Sequence, residues 1–400
     1  VHVIVVGAGV GGLTAALSLR ARGHDVTVLE QAPALEEAGA GLQISPNASR
    51  ILFALGLEGP LSAAACEPRA VEMFDGASGR PLIRLPLEAA RTRWGAPYLH
   101  LRRTDLQRIL LDALAAEGGA HLRLDSRITT IAPATATATL EDGGEVGGDA
   151  LVGADGLRSV VRDRLLGDGR PRFTGQTAWR GLVPAERLPQ ALRTPGARVW
   201  LGPARHFVCY PVSGGALVNF VGVVERPDGR IESWTERGDP AELARDFAGW
   251  AAPVQAVVGA VETAWRWALF DRPPLARWSA ERATLLGDAA HPMLPFLAQG
   301  AAMAIEDAEA LARHLSGDTG VAAALSAYEN ERRDRTARVQ ALSSRNADLF
   351  HLSPLPARGM FGAAALLDRL DPSRGMRRFD WLYGYGYERS QETDQGKRDA

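Results

Sequence analysis

Apolar positions in this chain follow two periods, and the switches between them mark its elements. Val3-Ile4-Val5-Val6 is an unbroken β-branched run that stops at Gly7, and an Ala/Leu pattern of helical period follows from Leu13 to Leu19. A second strand-like run, Val26 to Leu29, ends at Glu30. "SPNASRILFALGL" (45–57) reads as a helix with Ser45 or Asn47 as its cap. "AVEMFDGASGRPLIRLPL" alternates and turns at Asp75-Gly76 and Ser78-Gly79, the pattern of a hairpin. "RTDLQRILLDALAAEGG" (103–119) is an amphipathic helix, with Thr104 as the expected cap and glycine as the stop. Short strands are expected at 121–124, 127–132, 136–141 and 149–153, and 176–225 is again β-rich, its last two strands joined by Ser213-Gly214-Gly215. From Ala283 a buried strand, "ATLLG", leads into long helices over most of 299–350; the polar final residues read as disordered.

This order predicts an α/β protein whose Rossmann-type nucleotide-binding domain is discontinuous (1–67, 98–175 and 277–350). A β-sheet substrate domain (68–97 and 176–276) is inserted into it, and a C-terminal helical segment (351–387) and a polar tail (388–400) follow. Such a chain binds its small ligand in the crevice between the domains. Four hundred residues exceed what one core organises, in agreement with that division. A net charge of −2 gives no electrostatic reason to expect nucleic acid or a membrane surface as partner. No apolar run approaches the roughly 18 residues a membrane span needs. The apolar start is a strand rather than a signal peptide. Cys66 and Cys209 have neither metal spacing nor a disulfide framework, so no metal site and a cytoplasmic location are expected. The oligomeric expectation is a monomer or homodimer.

The chemistry begins at Gly7-x-Gly9-x-x-Gly12. Gly7 permits the tight turn, Gly9 lets the backbone approach a pyrophosphate, and Gly12 lets the helix pack close to the strand. Glu30 is placed to accept hydrogen bonds from ribose hydroxyls, and an acid there repels a 2′-phosphate, which disfavours NADP as the ligand of this turn. The chain has no second such fingerprint. Two later strands end in acids, "ALVGADGLRSVVRDRL" (150–165), in which Arg158 and Arg162 open a helix, and "ATLLGDAAHPMLPFLAQGAAMAIEDAEAL" (283–311).

Together these three motifs resemble the group A flavoprotein aromatic hydroxylases, the FAD monooxygenases that include 4-hydroxybenzoate, salicylate, 3-hydroxybenzoate and 6-hydroxynicotinate hydroxylases. The resemblance spans roughly residues 1 to 385. It implies a tightly bound FAD at the glycine turn, NAD(P)H as a visiting co-substrate and O2 activated as a flavin C4a-hydroperoxide. Asp155 would lie where FAD and NAD(P)H meet, Asp288 would bind the ribitol, and Arg103 of "HLRRTDLQ" would lie beside the pyrophosphate. The helix opening at Gly300 and Ala301 would stabilise charge on the flavin ring, and Pro295 would lie where substrate meets that ring. Gln43 would approach both.

An electrophilic hydroxyl transfer needs an electron-rich ring, and a histidine can deprotonate a phenol near neutral pH. In "HFVCYPV", alternation sends His206, Val208 and Tyr210 to one face and Phe207 and Cys209 to the other. His206 and Tyr210, roughly 13 Å apart along a strand, could bracket a ring without bonding. The resemblance makes His206 the base and Tyr210 a substrate-orienting residue; read without it, His206 is a strand end at the surface and Tyr210 is core. His291 is expected to be structural or to lie near the flavin, and Trp179, Trp200, Trp265 and Trp267 to be core. Arg84, Arg180 and Arg205 are all candidates to pair a substrate carboxylate.

The expected activity is therefore hydroxylation of a small phenolic or N-heteroaromatic acid, with decarboxylation, as in salicylate hydroxylase, left open. The rival readings are a flavin epoxidase or natural-product hydroxylase on the same scaffold, a non-catalytic FAD-binding protein, and an NAD dehydrogenase. The dehydrogenase leaves Asp155 and Asp288 without a purpose.

Overall fold

The structure is a computed structural model that describes residues 1–35, 40–118, 120–226, 237–352 and 374–387. The run Val3–Val6 becomes the middle strand of a five-stranded parallel sheet, His2–Val6, flanked by Ala150–Gly153 and Asp25–Leu29, with Ala283–Leu285 and Ala120–Arg123 at the edges. Both faces of this sheet are covered, so its central strands His2–Val6 and Ala150–Gly153 are buried almost throughout rather than alternating, whereas the edge strand Ala120–Arg123 alternates. On one face lie two helices, Val10–Arg20 and Gly300–Leu315. They pack closely enough that a Cβ on Gly11 would fall 2.8 Å from Leu286 Cδ2 and 3.1 Å from Ala304 Cβ.

The second sheet has eight strands, in the order Arg237–Gly238, Ala264–Asp271, Arg172–Pro184, Leu217–Glu225, Arg205–Val212, Ala197–Gly202, Ala70–Asp75 and Pro81–Pro86. All neighbours are antiparallel except Ala197–Gly202 with Ala70–Asp75, so the hairpin 70–86 joins a sheet whose other strands all come from residue 172 onward. One face packs on Phe207, Cys209, Phe220 and Phe247. The opposite face carries His206, Val208 and Tyr210 toward the parallel-sheet unit, as the period-two pattern requires.

Some local expectations are corrected. Helix Arg103–Glu117 has Arg102 at its N-cap and no side-chain cap; Thr104 Oγ1 instead accepts from Arg102 Nε and Nη2 at 3.1 and 2.9 Å. The helix expected over 45–57 ends at Ala54 and a second, Glu58–Ala64, follows. Its Ser45 cap makes no side-chain capping bond; the hydroxyl donates to Asn47 Oδ1 at 2.6 Å and accepts from Gln299 Nε2 at 2.9 Å, while the Ala48 N–H turns to the Ser45 carbonyl. A strand at Glu145–Gly147 was not anticipated. Of the C-terminal segment, 374–387 holds two short helices, Arg374–Arg377 and Asp380–Tyr383; the polar tail lies outside the described residues.

Two long helices complete the fold. Glu306 and Asp307 on Gly300–Leu315 are fully buried and are held by Arg332 and Arg335 of Val321–Phe350, with Arg332 Nη1 2.6 Å from Glu306 and Nε 2.7 Å from Asp307. His291 Nε2 meets Asp307 Oδ2 at 2.5 Å, and Gly287 N–H donates to the same oxygen. His291 therefore fastens the turn at Asp288 to the helix behind it. Gln340, Ser343 and Asn346 of the long helix donate to the carbonyls of Pro292, Leu294 and Phe296. The proline-rich loop is clamped at every second carbonyl rather than merely stiffened by its prolines.

Candidate active site: a cleft between the two sheets

A cleft of about 320 Å³ opens between the sheets. The glycine turn forms one end. Gly7 has φ +105°, and a Cβ there would lie 2.5 Å from the Ala154 carbonyl oxygen; a Cβ on Gly12 would lie 2.0 Å from the Gly7 carbonyl oxygen. Gly9 differs, since a Cβ there would meet nothing within 4 Å and its backbone lines the open cleft. Gly7 and Gly12 are thus required by the protein itself, whereas the bare backbone at Gly9 faces empty space. Behind the turn, Glu30 accepts from Ala8 N–H at 2.8 Å and Ala32 N–H at 2.9 Å.

Arg103, Asp288, Pro295, Gly300 and Ala301 line the same cleft with Gln43, His206 and Tyr210. Asp288 is exposed to the open cleft, and the dense protein behind it partly desolvates the carboxylate and raises its pKa against the pull of His291 and Arg103. Among the described residues no donor engages its carboxylate. Asp155 is arranged otherwise. Ser159 Oγ donates to its Oδ1 at 2.5 Å and Val161 N–H to its Oδ2 at 3.1 Å, so the carboxylate caps helix Val160–Leu166, and Ala154, Gly156 and Leu157 line the cleft in its place. Arg162 is fully buried and bonds Asp168 and the carbonyls of Ala289 and Ala290.

These residues fit an extended flavin dinucleotide. The open side of Gly9 admits a pyrophosphate, and the free carboxylate of Asp288 matches a polyol. The N-terminus of a 16-residue helix at Gly300 offers unpaired N–H groups to a ring carbonyl.

His206 is not a surface strand end. It is 2% exposed, with its ring against Phe296 and Phe350. Burial pushes its pKa well below the usual histidine value, and neighbouring His351 pushes it in the same direction, so the imidazole is neutral at pH 7. Its Nδ1 bonds His351 Nε2 at 2.9 Å. Its Nε2 has no protein partner among the described residues. Tyr210 is buried, its phenol pKa raised by burial, and Gln43 beside it accepts from the Tyr98 hydroxyl at 2.9 Å. Cys209, on the opposite face, is buried and its thiol is pushed up to about 12.

Of the three candidate arginines, Arg180 alone lines the cleft. It is enclosed by protein, its guanidinium 4.5 Å above the Trp267 ring, its Nε without a partner and its pKa brought down by burial to about 10, still cationic at pH 7. Trp267 is thus a cleft residue as well as core. Arg205 bonds the Asp246 carbonyl, and Arg84 pairs with Glu88 and lines a second, apolar cavity of about 200 Å³. That cavity shares Gln43, His206, Val208, Pro295 and Ala298 with the cleft and is closed by Tyr98, Phe350, Phe379 and Tyr383. His351 and the clamp residues Gln340, Ser343 and Asn346 escaped the sequence reading, because a helix of ordinary polarity gives no sign of what it reaches.

Fold and cleft define an FAD-dependent monooxygenase of the aromatic-hydroxylase class. The chain belongs to the family described as FAD binding domain, whose model matches residues 1–343. It is 42% identical over 96% of both chains to 3-amino-4-hydroxybenzoate 2-monooxygenase PtmB3 of Streptomyces platensis, and 37% identical to 3-hydroxybenzoate 6-hydroxylase 1 of Aquipseudomonas alcaligenes, over 96% of this chain and 97% of that one. Among solved structures, a salicylate hydroxylase substrate complex superposes with TM-score 0.81 at 25% identity, covering 96% of this chain and 95% of that one. Klebsiella pneumoniae HpxO complexed with FAD and uric acid superposes with TM-score 0.79 at 29% identity over the same shares. No helix among the described residues is long and apolar enough to cross a membrane.

Proposed function

We propose that this enzyme hydroxylates a small phenolic acid of the hydroxybenzoate or aminohydroxybenzoate type, with the ring held between His206 and Tyr210 and the carboxylate at Arg180. The observation that carries this reading is one cleft lined both by a buried neutral imidazole with an open Nε2 and by a half-buried cation that has no carboxylate partner among the described residues. A charge largely withdrawn from water and left unpaired is costly unless a ligand compensates it, and an aromatic carboxylate supplies that compensation. The acids named for the relatives from Streptomyces platensis and Aquipseudomonas alcaligenes carry both a carboxylate and a phenol.

When bound, FAD would supply the redox chemistry, as acceptor of a hydride from NAD(P)H and activator of O2. Gly9, Glu30, Arg103, Asp288 and the amides at Gly300 and Ala301 would hold it, with Asp155 supporting the wall through its helix. The chain's own part is to bind, dry and deprotonate. Arg180 fixes the carboxylate, Gln43 and Tyr210 orient the ring, and His206 Nε2 accepts the phenolic proton, which makes the ring electron-rich. Met293, Leu294 and Pro295 present an apolar surface at the ring-facing end, and the clamp from Gln340, Ser343 and Asn346 keeps that surface closed to water.

The division into an FAD domain and an inserted substrate domain follows the two sheets. Both described cysteines are free and buried, which supports a reducing, cytoplasmic setting. A monomer or homodimer without nucleic-acid or membrane partners completes the reading. The test is a panel of hydroxylated and aminohydroxylated benzoates and hydroxynicotinates, scored for stimulated NAD(P)H oxidation against hydrogen peroxide release. Phenolic benzoates should give coupled turnover. Stimulation only by neutral aromatics or alkenes would reject the reading in favour of an epoxidase or natural-product hydroxylase.

A further inference from the structure

His206 is the first member of a hydrogen-bonded chain that leaves the cavity. His206 Nδ1 lies 2.9 Å from His351 Nε2, and His351 Nδ1 lies 2.6 Å from Glu225 Oε1. Exposure rises along it: His206 is 2% exposed, the His351 side chain 4%, and the Glu225 side chain 46%. The three residues come from separate elements, the strand Arg205–Val212, the residue after helix Val321–Phe350, and the end of strand Leu217–Glu225.

The carboxylate sets the direction of every bond in the chain. An ionised carboxylate only accepts, so His351 carries its proton on Nδ1 and presents a lone pair at Nε2. His206 then donates from Nδ1, which leaves its Nε2, toward the cavity, as a lone pair. That is the tautomer a phenol-deprotonating base needs.

We propose that His206, His351 and Glu225 form a proton relay that carries the substrate's phenolic proton from the sealed cleft to solvent. This rests on the reading of His206 as the base. The phenolic O–H breaks and its proton binds His206 Nε2. The Nδ1 proton of His206 passes to His351 Nε2, the Nδ1 proton of His351 passes to Glu225, and Glu225 releases it to water. No electrons are exchanged. Without this exit, the proton would stay on a buried imidazole whose surroundings disfavour charge: Phe296 and Phe350 pack its ring, and the charged residues lining the two cavities are Arg180, Arg103, Arg84 and Arg378 against the single carboxylate of Asp288, with Arg84 itself paired to Glu88. At the outer end, Arg205 bonds the Asp246 carbonyl and Arg226 pairs with Glu242 and Asp246, so neither neighbour of Glu225 in strand or sequence is directed at the relay carboxylate.

The test mixes FAD-loaded enzyme with 3-amino-4-hydroxybenzoate and follows proton release to bulk with an indicator dye, alongside the ultraviolet band of the bound phenolate. His351→Gln keeps a polar side chain but cannot pass a proton, and Glu225→Gln removes the exit at a half-exposed position where folding is not at stake. The relay predicts proton release slowed on the order of tenfold to a hundredfold in His351→Gln, a smaller slowing with an altered pH profile in Glu225→Gln, and partial recovery of His351→Ala by added imidazole. Wild-type release rates and pH profiles in both glutamine variants would overturn the relay. If His206→Asn also ionises the bound phenol at the wild-type rate, the base assignment itself falls; if only His206→Asn is impaired, the relay alone falls.

Discussion

The backbone N–H of Ala8 donates to Glu30 Oε2 at 2.8 Å, so the carboxylate at the end of the second strand braces the glycine turn after the first. Its other oxygen holds Ala32 N–H at 2.9 Å. Both oxygens keep lone pairs for ribose hydroxyls. Glu30→Ala removes two charge-assisted hydrogen bonds from the turn, and FAD titration of apoprotein should show binding weakened about 10- to 100-fold.

Gly9 and Gly12 should separate when each is changed to alanine. A Cβ on Gly12 collides with the Gly7 carbonyl at 2.0 Å, so Gly12→Ala should lower stability by about 1–3 kcal/mol in urea unfolding of the apoprotein. A Cβ on Gly9 meets no protein atom within 4 Å. Gly9→Ala apoprotein should therefore unfold like wild type while FAD affinity falls at least about tenfold, a loss of ~1.4 kcal/mol.

Arg180→Gln removes the cation proposed to hold the substrate carboxylate. The KM for the aromatic acid should rise on the order of a hundredfold, while the KM for NAD(P)H stays near wild type. Equal rises in both would show that Arg180 serves the co-substrate instead.

His100 is fully buried beside Tyr210 with neither ring nitrogen bonded among the described residues, and burial brings its pKa down to about 3. Between pH 6.5 and about 3 the unfolded chain binds a proton there that the folded chain refuses, so stability falls as pH is lowered through this window. At pH 5 this amounts to about 2 kcal/mol. His24 and His206, whose pKa values are also lowered, add in the same direction. Urea unfolding of His100→Phe at pH 5 and 8 should show a smaller loss between the two than wild type shows.

What could be read from the chain beforehand was whatever local sterics or period decide. Gly7 and Gly12 are dictated by a turn that admits no Cβ, and the shared face of His206 and Tyr210 follows from strand alternation. Asp155 shows where that reasoning ends. An acid at a strand end can face a ligand or cap the next helix, and only the packed structure shows its oxygens taken by Ser159 and Val161. Choosing Arg180 among three strand arginines likewise required the assembled sheet. His351 was beyond reach because its partner is 145 positions away, and the contact depends on the length and angle of a 30-residue helix.

The central claim is that this cleft transfers one oxygen atom from O2 to a phenolic acid. Turnover under isotopically labelled O2 with NAD(P)H and 3-amino-4-hydroxybenzoate, followed by mass spectrometry of the product, tests it most directly. The account predicts one labelled oxygen in the hydroxylated acid for each NAD(P)H consumed. Product oxygen drawn from water, or complete recovery of the reducing equivalents as hydrogen peroxide with every phenolic acid tried, would contradict it.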